Sequence, residues 1–173
     1  MHTYLQRCLD SVDTAIRPMT EHELTIRRGG KWSAAEIIEH LALAYGGTAK
    51  MLERLSGQLS VERIRPTAKQ RVITTLVVEL GYFPPGRQAP EFTKPTGINA
   101  HDAVAAFRTN LHKMDEALDK CERRFGKTAI ISRHPILGPL SIRQWRRFHW
   151  VHTRHHAKQL LALRGGVSSA AAS

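Results

Sequence analysis

The chain lacks long apolar runs and contains little cysteine. No stretch approaches the roughly eighteen consecutive apolar residues of a membrane-spanning helix, so we expect no transmembrane segment. The first residues, MHTYLQRCLDSVD, include no apolar core of a signal peptide, and we therefore expect a cytoplasmic protein. The only cysteines are Cys8 and Cys121, which we expect to be reduced core residues rather than a disulfide.

Two common signatures of catalysis are also missing. The sequence has no glycine-rich loop of the kind that binds phosphate groups. It also shows no serine–histidine or cysteine–histidine pattern that indicates an activated nucleophile. Function classes that depend on these signatures are therefore disfavoured.

Positive charge is abundant instead. The 173 residues include 26 Lys and Arg against 15 Asp and Glu, which gives a net charge of +11. Such a charge fits an anionic partner, either nucleic acid or an anionic small substrate, and it also fits a basic, well-solvated surface. Composition does not separate these readings.

Length and periodicity predict one helical domain. We expect four long amphipathic helices, at residues 3–17, from Ser33 onward, from about Asn99 onward and from Ser141 to Arg164. Gly165-Gly166 is expected to end the last helix, which gives a domain over 1–164 and a flexible tail over 165–173. The predicted fold class is all-α, a four-helix bundle with long connecting loops.

Two connecting segments have a mixed pattern. Residues 67–80 have the β-branched content of a strand, but Thr67-x-x-Gln70 and Gly81 resemble helix start and stop signals and favour a helix. The following GYFPPGRQAPEFTKPTG is rich in proline and glycine, and we expect a lid or binding loop there. The stretch TAIISRHPILGPL is expected to hold a short extended piece.

The second long helix has a clear start. Ser33 and Glu36 have the spacing of a capping box, in which each side chain binds the backbone amide of the other residue. The expected inward stripe is Ile37, His40, Ala44, Gly47 or Thr48, Met51 and Leu55. His40 therefore occupies an apolar position, and Gly46-Gly47 suggests that a neighbouring helix packs closely.

Histidine is concentrated near the C-terminus, at His149, His152, His155 and His156. His152 and His156 are four residues apart, so on a helix they can hold one ion between them. The inward seam of this helix reads Trp145, His149, His152, His156, Gln159 and Leu163. Buried imidazoles need partners, and several on one seam favour a metal site.

His40, His152 and His156 are the predicted metal ligands. Three protein ligands leave one coordination position open, which is typical of catalytic rather than structural zinc sites. Imidazole also suits Ni, Cu or Fe, so the sequence does not choose the ion. Glu36 is an alternative fourth ligand, although its capping role is the simpler interpretation.

Four other polar residues have open roles. His149, His155 and Gln159 are candidates for acid–base chemistry, for orienting a ligand or for contacting substrate, and a structural role is as well supported for each. His134, in HPILGPL, is a loop residue for which approach to the site is one interpretation and a plain turn histidine is the favoured one.

Several segments resemble the DinB/YfiT-like superfamily. KWSAAEIIEHLALAY is similar to its Trp-Ser…Glu-His-Leu segment, and HTRHHAKQL is similar to its His-x-x-x-His…Gln motif. GYFPPGRQAPEF, HPILGPL and QWRRFHWVHTRHH together resemble one branch known chiefly as a domain of unknown function. The resemblance covers about residues 3–164 and implies a four-helix bundle that binds a divalent metal through His40, His152 and His156.

The resemblance also implies a class of activity. Members are described as metal-dependent hydrolases, some relatives transfer low-molecular-weight thiols, and homodimers are common. Ala157-Lys158 stands where many members carry Arg-Gly, which changes the surroundings of the motif but not the ligands. The substrate is left open.

Three functions remain in view. The first is a metal enzyme that hydrolyses a small-molecule substrate or transfers a thiol. The second is a non-catalytic metal-binding or stress-response protein. In that case Glu36 or His149 would act as a fourth ligand and close the metal site. The third is nucleic-acid binding by a basic face of the last helix, which is disfavoured because no nucleic-acid motif accompanies it. That face consists of Arg143, Arg147, Trp150, Arg154 and Lys158.

Overall fold

The structure, a computed structural model, describes residues 1–82 and 89–168. Its helices are α1 (Thr3–Ile16), α2 (Glu21–Thr25), α3 (Ala34–Ser56), α4 (Ala68–Thr74), α5 (Ala100–Phe125) and α6 (Ile142–Ser168). A π-helical turn (Thr75–Glu79) continues α4, a 3-10 turn covers Glu91–Thr93, and β1 (Ile130–His134) pairs antiparallel with β2 (Gly138–Ser141). The predicted all-α class is confirmed, with one small hairpin added.

The four long helices α1, α3, α5 and α6 surround the core. Helix α3 packs mainly along α5, and α1 packs mainly along α6. The largest side chains that are fully buried are Trp145, Tyr45, Phe107, Leu5, Ile38, Leu41, Leu52, Leu111, Met114, Leu118, Leu140 and Ile142. Cys8 and Cys121 are buried and free, as predicted. Within the described ranges, no helix has the length and apolarity needed to cross a membrane.

Local signals set the helix starts. The capping box of Ser33 and Glu36 is formed, with the Glu36 amide 3.2 Å from the Ser33 hydroxyl and the Ser33 amide 2.9 Å from the Glu36 carboxylate. Thr67 and Gln70 form a second capping box, which confirms the helical interpretation of that segment. Asn99 caps α5, and Gly126 follows its end with a φ of 88° that favours glycine.

Most of the predicted inward stripe of α3 does not face the centre of the bundle, although its first residue, Ile37, lies in the core. The core face is formed by Ile38, Leu41, Tyr45 and Leu52. A second stripe lines a cavity and consists of His40, Ala44, Gly47, Thr48 and Met51. Helix α3 is apolar on both faces, so periodicity alone does not tell one face from the other. The stripe with the histidine is thus a cavity wall.

The end of the last helix differs from expectation. Helix α6 passes through Gly165 and Gly166 and ends at Ser168, because glycine weakens a helix by only about 1 kcal/mol and need not end it. Two expected segments fall partly outside the described residues. These are residues 169–173 of the expected flexible tail and residues 83–88 of the expected lid or binding loop.

The basic face of α6 is partly used within the fold. Arg147 donates to the backbone carbonyls of Val78 and Glu79, at 2.9 and 2.8 Å, at the end of the π-helical turn. It also pairs with the Glu79 carboxylate at 3.0 Å, and Arg143 approaches the same carboxylate at 3.6 Å. These contacts fix the π-helical turn to α6.

Only one glycine of the Gly46-Gly47 pair is closely approached. A Cβ atom on Gly46 would lie 2.9 Å from the Asn110 amide nitrogen on α5, whereas a Cβ on Gly47 would meet nothing within 4 Å. Asn110 also donates to the Ala42 carbonyl at 2.9 Å, which holds its amide in place. Close packing therefore explains Gly46 and not Gly47.

We predict that Gly47→Ala raises the free energy of unfolding by about 1 kcal/mol, because alanine favours the helix and its methyl group meets open space. Gly46→Ala is the matched control, since the same gain is offset by displacement of Asn110 from Ala42, which costs about 1 kcal/mol. Urea unfolding measures both. An equal stabilisation by both substitutions would show that the Asn110 contact contributes nothing.

Candidate metal centre

Helices α3 and α6 bring three histidines together. The Nε2 atom of His152 lies 3.2 Å from Nε2 of His40 and 3.1 Å from Nε2 of His156. One ligand atom from each of the three residues falls within 4.8 Å of the others. His40 and His156 are buried and His152 is half-buried. The structure thus brings the predicted ligands together where helices α3 and α6 meet.

Hydrogen bonds set the orientation of two of these rings. His40 donates from Nδ1 to the Thr93 carbonyl at 2.7 Å, and His156 donates from Nδ1 to the side-chain oxygen of Gln159 at 2.7 Å. With the proton on Nδ1, each neutral ring presents the lone pair of Nε2 to His152. A proton on His152 Nε2 can satisfy only one of these two acceptors.

This donor set fits a divalent transition metal. Two imidazole nitrogens that bind one zinc ion at about 2.0–2.1 Å with tetrahedral angles lie roughly 3.3 Å apart. The observed separations of 3.2 and 3.1 Å are close to that value. Ligand histidines also commonly donate their second ring N–H to a carbonyl or side-chain oxygen, as His40 and His156 do.

The environment keeps these imidazoles neutral. Burial lowers the pKa of His40, and it lowers the pKa of His156 to about 3. Burial, followed by the neighbouring histidines, holds the pKa of His152 well below its usual value. Neutral imidazole is the form that binds metal, so little proton competition is expected near pH 7.

The proposed fourth ligands are engaged elsewhere. Glu36 caps α3 and accepts hydrogen bonds from Arg27, one of them at 2.8 Å, and these bonds lower the pKa of its carboxyl despite burial. His149 is buried one turn before the cluster, and its Nε2 lies 3.2 Å from the Thr48 hydroxyl. Neither residue joins the three-histidine group among the described residues.

The remaining catalytic candidates differ in position. His155 is exposed and its Nε2 lies 3.3 Å from the Gln159 amide nitrogen. Gln159, also exposed, therefore lies between His155 and His156, donating to one ring and accepting from the other. The rings of His149 and Trp145 are stacked with their centroids 5.9 Å apart, and burial lowers the pKa of His149 to about 3. Catalytic roles for these residues remain predictions.

A buried carboxylate secures the segment that positions His40. Glu39 accepts hydrogen bonds from the backbone amides of Thr96, Gly97 and Ile98 at 2.8–3.2 Å, and from the Thr96 hydroxyl at 2.7 Å. Burial opposes ionisation of Glu39, but these hydrogen bonds outweigh it and lower the pKa of the carboxyl. This role of Glu39 is not predicted from the sequence, although a glutamate among apolar residues next to His40 is a signal for a buried, hydrogen-bonded carboxylate.

His40, His152 and His156, which we call the histidine triad, line a cavity of about 940 Å³. Its wall contains all three clustered histidines together with Trp145, Phe148 and His134. His134 does hold a turn, as predicted, because its Nδ1 accepts the amides of Ile136 and Leu137 at 3.1 and 3.2 Å. The alternative that His134 approaches the site also fits, because its side chain lies in the cavity wall.

Comparison with known proteins gives one match. The family model described as the DinB superfamily matches residues 4–160. No match was found among the curated proteins or among the solved structures.

We predict that replacing His40, His152 or His156 by alanine abolishes stoichiometric zinc binding, because each removes one of three converging nitrogens. Zinc content after dialysis and calorimetric titration measure the loss. His112→Ala, at an exposed position of α5, is the matched control and should bind zinc as the unaltered chain does. Full occupancy in the His40 variant would refute the ligand assignment.

We predict that Gln159→Ala weakens zinc binding about tenfold while leaving the stoichiometry unchanged, because His156 loses the acceptor that orients its ring. Competition with a chromophoric chelator measures the affinity. Lys158→Ala alters the exposed neighbour and should have no such effect. An unchanged affinity in Gln159→Ala would mean that the hydrogen bond does not orient the ligand.

Proposed function

The chain belongs to the DinB superfamily, and we propose that it is a metal-dependent enzyme whose ion is held by His40, His152 and His156. The single observation that carries this proposal is the convergence of three Nε2 atoms, two of them with lone pairs fixed by hydrogen bonds at Nδ1. Zinc and nickel are the ions that we expect first, since both accept imidazole ligands.

The cavity beside the triad supports an enzyme that acts on a small molecule. A bound divalent metal supplies Lewis-acid chemistry, which polarises an oxygen or sulfur ligand and lowers its pKa. His40 and His156 hold their rings through Thr93 and Gln159, so the nitrogens need little rearrangement on binding. The Phe148 ring is stacked on the His152 ring with their centroids 5.5 Å apart, and it shields one side of the three histidines from water.

Hydrolysis or thiol transfer is the reaction class that we propose. The described residues that line the cavity include no serine, cysteine or tyrosine. The hydroxyls of Thr48 and Thr93 donate to backbone carbonyls, and Glu36 and Lys94 are held in ion pairs, so none of them is presented as a free nucleophile. Cys8 is buried in the core, where burial raises the pKa of its thiol to about 11. Either reaction would therefore rely on water or a thiol brought in with the substrate.

An open coordination position separates an enzyme from a closed storage site. Glu36 and His149 were the candidates to close it, and both have other partners. These partners leave the fourth coordination position open to exchange with solvent or substrate. A homodimer and a cytoplasmic location remain predictions from the sequence.

We predict that the cobalt(II)-substituted protein binds an added thiol directly at the metal, because three protein ligands leave a position free. Titration with 2-mercaptoethanol should produce a sulfur-to-cobalt charge-transfer band. His149→Gln is the control variant and should show the same band, since His149 is not a ligand. A cobalt spectrum that no added thiol or anion changes would contradict the enzyme proposal and favour a closed metal-binding protein.

A further inference from the structure

We propose that the cavity beside the three histidines binds an apolar small molecule with one oxyanion group, a carboxylate in the simplest case, held by Arg133. This inference rests on the proposed function, because it concerns the same cavity. It adds the chemical class of the ligand that the cavity would bind. It assigns to the β1–β2 hairpin the recognition of the charged end of that ligand.

Charge balance around the cavity singles out Arg133. Three cationic side chains line the wall, and two of them have carboxylate partners. Arg27 pairs with Glu36, and Lys94 pairs with Glu91 at 2.6 Å. Across residues 1–82 and 89–168, no carboxylate lies within ion-pair distance of Arg133. Its guanidinium is exposed and is suited to bind a carboxylate through two parallel hydrogen bonds.

The neighbouring His134 offers a donor with a fixed proton position. Its Nδ1 accepts two backbone amides, from Ile136 and Leu137, so the ring proton of the neutral histidine is on Nε2. None of the described residues accepts a hydrogen bond from that nitrogen. His134 therefore offers a second N–H group in the wall of the same cavity, which a further polar atom of the ligand can accept.

The rest of the wall suits an apolar body. Between the hairpin and the triad lies the Phe148 ring, 4.3 Å from the His134 ring and 5.5 Å from the His152 ring. Phe92 is 64% exposed and Ile136 is 41% exposed, although both line the cavity. A bound apolar group would cover these side chains and remove their surface from water, which is favourable.

Calorimetric titration with decanoate and decanol tests the proposal, because the two probes share an apolar chain and differ in the oxyanion. Each is added to metal-free protein and to zinc-loaded protein. We expect decanoate to bind more tightly than decanol in both forms. Arg133→Gln should weaken decanoate binding about tenfold and leave decanol within about twofold. Arg63→Gln removes an exposed arginine outside the cavity and should change neither.

Three outcomes would overturn the proposal. Equal binding of decanol and decanoate removes the oxyanion requirement, and absence of binding by both removes the apolar ligand. Decanoate binding that needs zinc and does not respond to Arg133→Gln places the carboxylate at the triad instead. Zinc content, measured on each sample, tests the proposed function separately, because a protein that takes up no zinc can still be titrated with decanoate.

Discussion

The Nδ1 hydrogen bonds of His40 and His156 are the constraint around which the histidine site is organised. Each bond fixes a proton away from the cluster and leaves an Nε2 lone pair facing His152. Three nitrogens within 4.8 Å of one another, with burial holding their pKa values low, cannot satisfy one another by sharing protons. A metal ion held by all three nitrogens would resolve this arrangement, and the three-histidine group has the geometry to hold one.

Much of this was readable from the sequence, because it depends on local spacing. The capping pairs at Ser33 and Thr67 set helix starts, and the four-residue step from His152 to His156 places two rings on one helix face. What the sequence could not give depends on chain segments far apart. The acceptor for His40 is the Thr93 carbonyl, 53 residues away, and a backbone carbonyl has no sequence signature.

Face assignment on α3 shows a second limit of periodicity. A helix with one apolar face reveals its inward side, but α3 has apolar residues toward both the core and the cavity. Its histidine stripe was therefore assigned to the core, although it forms a wall of the site. The basic face of α6 was ambiguous for a related reason. Charge alone does not show that Arg147 binds the end of the π-helical turn, which makes part of that face structural.

The Glu39 carboxylate has a consequence for how this chain tolerates change. Glu39 and His40 are adjacent on α3, and both reach the same segment, Glu39 at residues 96–98 and His40 at Thr93. That segment is therefore fastened at two points to one helical turn, with only Lys94 and Pro95 between them. Insertion or deletion of a single residue there would break one attachment or the other. Loops normally accept length variation during divergence, but this one is expected to keep its length wherever the His40 site is kept.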